Sequence, residues 1–267
     1  MISLASVKRG GQNKPPRIVL YGVHGLGKTS LGASSPSPIF IQTEDGLGTL
    51  DVPTFGLLRT YDEIMQAIGS LLAEEHDFQT LVLDSIDHLE PIVWTQTCKD
   101  NGWANVEQPG YGKGYAAALD MWRVFLDGLN ALRDERGMTI LLLAHSTIQK
   151  FESPESDPYD RYIPKLHKGA SALIQEWADC VLFGNYRIST VKSESGFGKK
   201  VTRAVGGGDR VLYTHERPAF LAKQRYDMPA SIPLTWDAVA EHIPFFGVAA
   251  EADAHTPTHE TAAKEAA

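Results

Sequence analysis

Apolar residues in this chain follow two rhythms. Short aliphatic runs at 18–21, 39–41, 81–83, 140–143 and 181–183 are continuous rather than alternating, the pattern of strands buried on both faces. Helical spacing appears between them. Thr60-Tyr61-Asp62-Glu63 reads as a capping box ahead of Ile64, Met65, Ile68, Leu71 and Leu72, which share one face. A second helix is predicted over about 117–134, with Met121, Trp122, Phe125, Leu129 and Leu132 turned inward. Strand and helix alternate, which predicts an α/β fold with a mostly parallel central sheet flanked by helices. Three stretches, 181–190, 211–216 and 219–225, read as antiparallel strands added toward the C-terminus.

The ends differ from the middle. Residues 1–16 carry Lys8, Arg9 and Lys14, a Gly10-Gly11 pair, Pro15-Pro16 and no acid, so a flexible basic N-terminal arm is expected. From 246 onward Ala, Glu, Thr and His surround Pro257 without apolar periodicity, which predicts a disordered C-terminal tail. The expected core is a single unit over 17–245. At 43% hydrophobic and 22% charged, the 267 residues carry enough apolar material to build it.

Charge and cysteine usage narrow the function. A net charge of −8 has the wrong sign for a protein that coats nucleic acid by bulk attraction, so any such contact must be local. No apolar run approaches the ~20 residues of a membrane span, and the basic start lacks the core of a secretory signal. A cytoplasmic protein without membrane contact is expected. Cys98 and Cys180 lack CxxC spacing or a nearby histidine pair and read as reduced core thiols.

The chemistry enters at Gly22-Val23-His24-Gly25-Leu26-Gly27-Lys28-Thr29, which satisfies G-x-x-x-x-G-K-[ST] between a predicted strand and a predicted helix. Phosphate oxygens must meet successive backbone N–H groups, and glycines keep that approach open. With Ser30, this segment is the expected ATP cradle. Lys28 would reach the terminal phosphates, and the Thr29 hydroxyl would bind Mg²⁺. A second aliphatic strand ends in Asp84-Ser85, and Asp84 is the expected holder of the metal and its water shell. Asp87, three residues on, is read as a helix cap. A third strand runs into Glu44, the candidate base for activating water, although a solvated loop acid would present the same pattern.

Taken together, residues 17–243 resemble RecA-like P-loop ATPases, in particular the short phage-encoded ATPases of the single-strand annealing and recombination family. In that family the strand after the phosphate loop ends in the catalytic glutamate, matched here within Phe40-Ile41-Gln42-Thr43-Glu44-Asp45, and the magnesium strand ends Asp-Ser, matched by Asp84-Ser85. The resemblance also implies a γ-phosphate sensor at His145, where many relatives have glutamine. It further implies two cations, Lys223 and Arg225, that reach a neighbouring subunit's ATP; a solvated strand edge is the competing reading. An oligomer that hydrolyses ATP across subunit boundaries follows from it.

Two long segments expected to be irregular occupy the places of that family's DNA loops. The first, 99–115, holds Trp103, Tyr111 and Lys113; the second, 147–169, holds Arg161, Lys165 and Lys168 among aromatics. Aromatics that stack on bases and cations that track phosphates suit single-stranded DNA. A single-strand-binding protein is an open accessory partner. A lid over nucleotide or a subunit contact competes for the same loops. At the level of the whole protein, a loader or assembly switch acting on a protein partner is the rival function.

Overall fold

All five aliphatic runs become strands of one sheet. The structure is a computed structural model that describes residues 13–154, 157–195 and 199–247, with the side chains of 188–195 and 199–207 left aside. Most of the expected arm (1–12) and of the expected tail (248–267) lies outside the described residues, as do Glu155 and residues 196–198. In chain order the elements are β1 (Arg17–Gly22), α1 (Lys28–Ala33), β2 (Pro38–Gln42), β3 (Thr54–Leu57), α2 (Tyr61–Ala73), β4 (Thr80–Asp84), α3 (Ile86–Asn101) and α4 (Lys113–Glu135). They continue as β5 (Thr139–Phe151), β6 (Tyr159–Pro164), α5 (Lys168–Trp177), β7 (Cys180–Ser195), β8 (Lys199–Tyr213), β9 (Lys223–Gln224), β10 (Ser231–Pro233) and α6 (Trp236–Ala240).

Sheet order is β10-β8-β7-β1-β5-β4-β2-β3, with β6 on β5 and β9 on β7. From β7 to β3 every pairing is parallel. Antiparallel strands β8, β9 and β10 complete the C-terminal side. Because the central strands alternate their side chains, they build two cores. Val19, Tyr21, Ile41, Leu83 and Leu142 pack under α2, α3, α4 and α5. Ile18, Leu20, Phe40, Val82 and Leu141 face α1, α6 and the C-terminal strands. Each fully buried aliphatic side chain contributes about 1.5–3 kcal/mol, which explains why these runs are apolar at every position.

The Thr60 capping box forms, with the Thr60 hydroxyl accepting from Glu63 N and the Glu63 carboxylate accepting from Thr60 N. Four expectations need correction. β7 is a parallel neighbour of β1, and only its outer partner β8 runs against it. The stretch 219–225 shrinks to the two-residue β9. Helix α4 starts at Lys113 rather than 117, leaving a shorter loop at 102–112. Residues 147–169 are not an irregular loop: β5 runs on past His145 and pairs with β6 as a hairpin arm, and α5 follows. That arm projects beyond the core, so its polar residues hide the strand pattern that burial would have imposed.

Candidate functional site

The phosphate loop is pinned between β5 and β7. Gly22 pairs with His145 on one side and Gly184 on the other, and a Cβ on Gly22 would stand 2.4 Å from the Gly184 carbonyl oxygen. Both glycines also make room for the buried Leu26 side chain, which anchors the loop in the core. Gly25 and Gly27 have φ of 68° and 98°, a region that side chains resist. Val23 is half-buried, while His24 and Ser30 are exposed.

Lys28, only 6% exposed, donates to the carbonyls of Gly22 and Val23 at 3.3 and 3.1 Å. Its ammonium therefore sits inside the loop's own mouth. Burial lowers its pKa, opposed by the charges of Asp84, Asp87 and Glu44. Thr29 Oγ1 donates to Asp84 Oδ2 at 2.7 Å, so a hydroxyl and a carboxylate converge, a donor pair suited to Mg²⁺. Burial raises the Asp84 carboxyl, and nearby Glu44 adds to the rise.

Neighbouring strand ends deliver the other groups. Thr43 locks the end of β2 to that of β4: its N–H donates to Asp84 O, and its hydroxyl both donates to Ser85 O at 2.6 Å and accepts from Ser85 N at 2.9 Å. Glu44 thereby lies beside Asp84, with Oε2 3.2 Å from His88 Nδ1. His145 is not at a strand tip, as β5 continues to Phe151. Its backbone N–H donates to Asp87 Oδ1, and its Nδ1 lies 3.0 Å from Asp87 Oδ2. Asp87 is therefore a bracket to β5, not the helix cap read from the sequence. Burial alone would raise its carboxyl, but the hydrogen bonds from His145 bring it down to about 2. His24 stacks on the His145 ring at 4.2 Å.

Sequence reasoning missed Asp87's role, His88, Tyr186 and Arg210. Tyr186 and Arg210 face each other across β7 and β8, their tips on the loop carbonyls of Gly25 (3.5 Å) and Leu26 (3.1 Å). Arg210 also closes one side of a cavity of about 260 Å³ beside Ser30, Ser34 and Trp236, next to the loop. Only their register on the β7–β8 hairpin, whose first strand lies beside β1, could have revealed them. His88 carried a weak signal, lying four residues after Asp84.

Lys223 and Arg225 stand away from this cluster. β9 pairs with the start of β7, roughly 10–13 Å along the strand from Gly184. Lys223 Nζ donates to the carbonyls of Gln175 and Ala178 at the end of α5. Arg225 donates to Asp179 and Glu176 O. Both cations do project together, but toward their own α5 rather than the loop. Asp179 also binds Arg17 at 3.0 Å and faces Arg133 at 3.5 Å. Burial would raise the Asp179 carboxyl, yet the hydrogen bonds and charge of Arg17 hold it below the usual range.

The expected DNA loops do meet. Tyr115, at the start of α4, stacks on His167, the N-cap of α5, at 4.3 Å. Trp103 is half-buried, whereas Tyr111, Lys113, Lys165 and Lys168 are exposed. Arg161 departs from expectation: it is 7% exposed, ion-paired with Glu216 and laid over the Phe151 ring at 4.9 Å. A buried, paired guanidinium is a structural group, not a phosphate contact. Lys150, Phe151 and Lys168, together with Glu152 and an edge of Arg161, line a groove of about 420 Å³ between the hairpin arm and α5. Lys192, Lys199, Lys200 and Arg203, a further basic stretch of the sequence, fall on the β7–β8 ladder; their side chains and the tip between the strands lie outside the described residues.

Among the described residues no helix is long and apolar enough to cross a membrane. A family model described as an AAA domain matches residues 14–226. A search of curated proteins found no match.

Proposed function

Because the chain belongs to the AAA-domain family and is a P-loop AAA-type ATPase, we propose that it is a Mg²⁺-dependent ATP hydrolase that assembles with copies of itself. Its turnover is coupled to single-stranded DNA, as annealing or strand exchange in phage recombination requires. The observation that carries the DNA arm is the continuity of β5. That strand passes His145, beside the phosphate loop, and runs on into the arm bearing Lys150 and Phe151. A rigid ladder of this kind can transmit a shift at one end to the other.

Roles follow from position. Gly22, His24, Gly25, Gly27 and Ser30 shape the cradle, and Lys28 holds the triphosphate. Thr29 and Asp84 would hold Mg²⁺, which supplies charge neutralisation at the phosphates. Glu44, beside Asp84 and oriented by His88, takes the proton of the attacking water. His145 senses the terminal phosphate and passes its position along β5. The 260 Å³ cavity edged by Arg210 accepts the nucleoside end. Lys223 and Arg225 act on a neighbour's nucleotide only after leaving α5, so subunit contact would trade one set of acceptors for another. The protein works in the cytoplasm.

ATP turnover measured with and without unstructured single-stranded DNA, at several salt concentrations, tests this reading. DNA should raise the rate, and Lys150→Ala with Lys168→Ala should weaken DNA binding and flatten its salt slope by about 0.7 per lysine. An ATPase indifferent to DNA, with no binding at low salt, removes the DNA arm.

A further inference from the structure

We propose that Glu44, His88 and His145 form a binding site for a divalent transition cation of the Zn²⁺ class, distinct from the Thr29–Asp84 magnesium position. Its effect on turnover rests on the ATPase reading above, because the cation would take Glu44 out of proton transfer; the site itself rests on geometry alone.

One nitrogen from each histidine and one carboxylate oxygen lie within 4.8 Å of one another. Glu44 Oε2 and His88 Nδ1 are already 3.2 Å apart, close to the edge of about 3.3 Å in a tetrahedron with bonds of 2.0–2.1 Å. Two imidazoles and one carboxylate, with a fourth position left for water, are a recurrent zinc set. The second shell is built as well. Asp87 accepts from the backbone N–H of His145 and sets Oδ2 3.0 Å from its Nδ1; a carboxylate there favours the proton on Nδ1, which leaves the lone pair on Nε2 and fixes the ring's direction, the role that carboxylates play behind metal-bound histidines. His24 stacks on the same ring and buttresses it.

Three different segments supply the ligands: the turn after β2, the first turn of α3, and β5. The strands on either side of β4 hold two of them in register. The His88 side chain is 43% exposed and provides an entry path. Its Nδ1 also faces Ser85 Oγ at 2.9 Å and Asp87 Oδ2 at 3.6 Å, so binding exchanges the Ser85 contact and the direct Glu44 contact for bonds to the cation. Donor chemistry sorts the two cations: Thr29 and Asp84 offer only oxygen, which Mg²⁺ prefers, whereas imidazole favours Zn²⁺ and its neighbours.

The test uses the full chain, with Zn²⁺ affinity measured by competition with a chromogenic chelator, Co²⁺ as a visible-absorption probe, and ATP turnover followed at constant excess Mg²⁺. Wild type should bind Zn²⁺ through this site, show the bands of tetrahedral Co²⁺, and lose turnover as the site fills. His88→Ala, at an exposed position, should weaken Zn²⁺ at least about 100-fold, and Asp87→Asn by about 10- to 100-fold. Zn²⁺ affinity unchanged in both variants overturns the site and leaves the ATPase reading intact. A chain that fails to turn over ATP yet loses Zn²⁺ on His88→Ala supports the site and removes the ATPase reading instead.

Discussion

Replacing Asp84 by Asn should strengthen the nucleotide-free protein while removing its response to Mg²⁺ and ATP. Asp84 is 4% exposed, and burial together with the Glu44 charge raises its carboxyl above the ordinary range. An acid whose folded pKa is raised lowers stability above its unfolded pKa of about 3.9 and is neutral in effect below it. Asparagine keeps the shape and still accepts the 2.7 Å bond from Thr29 Oγ1, but carries no charge. The expected gain near neutral pH is about 1 kcal/mol, within the ~0.5–2 typical of a single stabilising substitution, or about 2–4 °C in Tm. It should vanish below about pH 4. Saturating Mg²⁺ and ATP should reverse the order, because ligand at 100 times Kd stabilises a native protein by about 2.7 kcal/mol and the variant has lost the carboxylate proposed to hold the metal. Chemical denaturation with and without nucleotide measures both arms. A variant less stable than wild type without ligand, or equally stabilised by Mg²⁺ and ATP, would refute the reasoning.

Other positions give sharper single readings. Gly22→Ala forces a Cβ to within 2.4 Å of a backbone carbonyl; urea denaturation should register a loss of about 1–3 kcal/mol, accompanied by weaker nucleotide binding. Asp179→Ala strips the shared partner from Arg17, Arg133 and Arg225 and should cost about 3–5 kcal/mol. Because the Asp179 carboxyl is held below its usual range, its contribution in wild type is present above about pH 4 and disappears as pH falls through the folded value, so the two proteins should converge in acid. Glu44→Gln should bind a fluorescent ATP analogue normally while phosphate release falls about 10²- to 10⁴-fold; undiminished turnover would assign the base elsewhere.

What could be read along the chain was whatever local chemistry compels. A phosphate loop needs its glycines at set intervals, so Gly22 to Thr29 announces itself without neighbours, and strands sandwiched between helices must be apolar at consecutive positions, so β1, β2, β4, β5 and β7 were visible as runs. The Thr60 cap was equally local. Contacts between distant segments left no such trace. Asp87 looks like a helix cap in sequence, yet it binds a histidine 58 positions away, and Arg210 reaches Leu26 across 184. The sequence spacing of Lys223 and Arg225 does place them side by side, but what they face is decided by where α5 ends, a matter of packing. Likewise Arg161 carries the charge expected of a DNA contact, and only the fold buries it against Glu216 and Phe151. Periodicity reports which face of an element is dry; the partner across the gap is chosen by how sheet order brings the elements together.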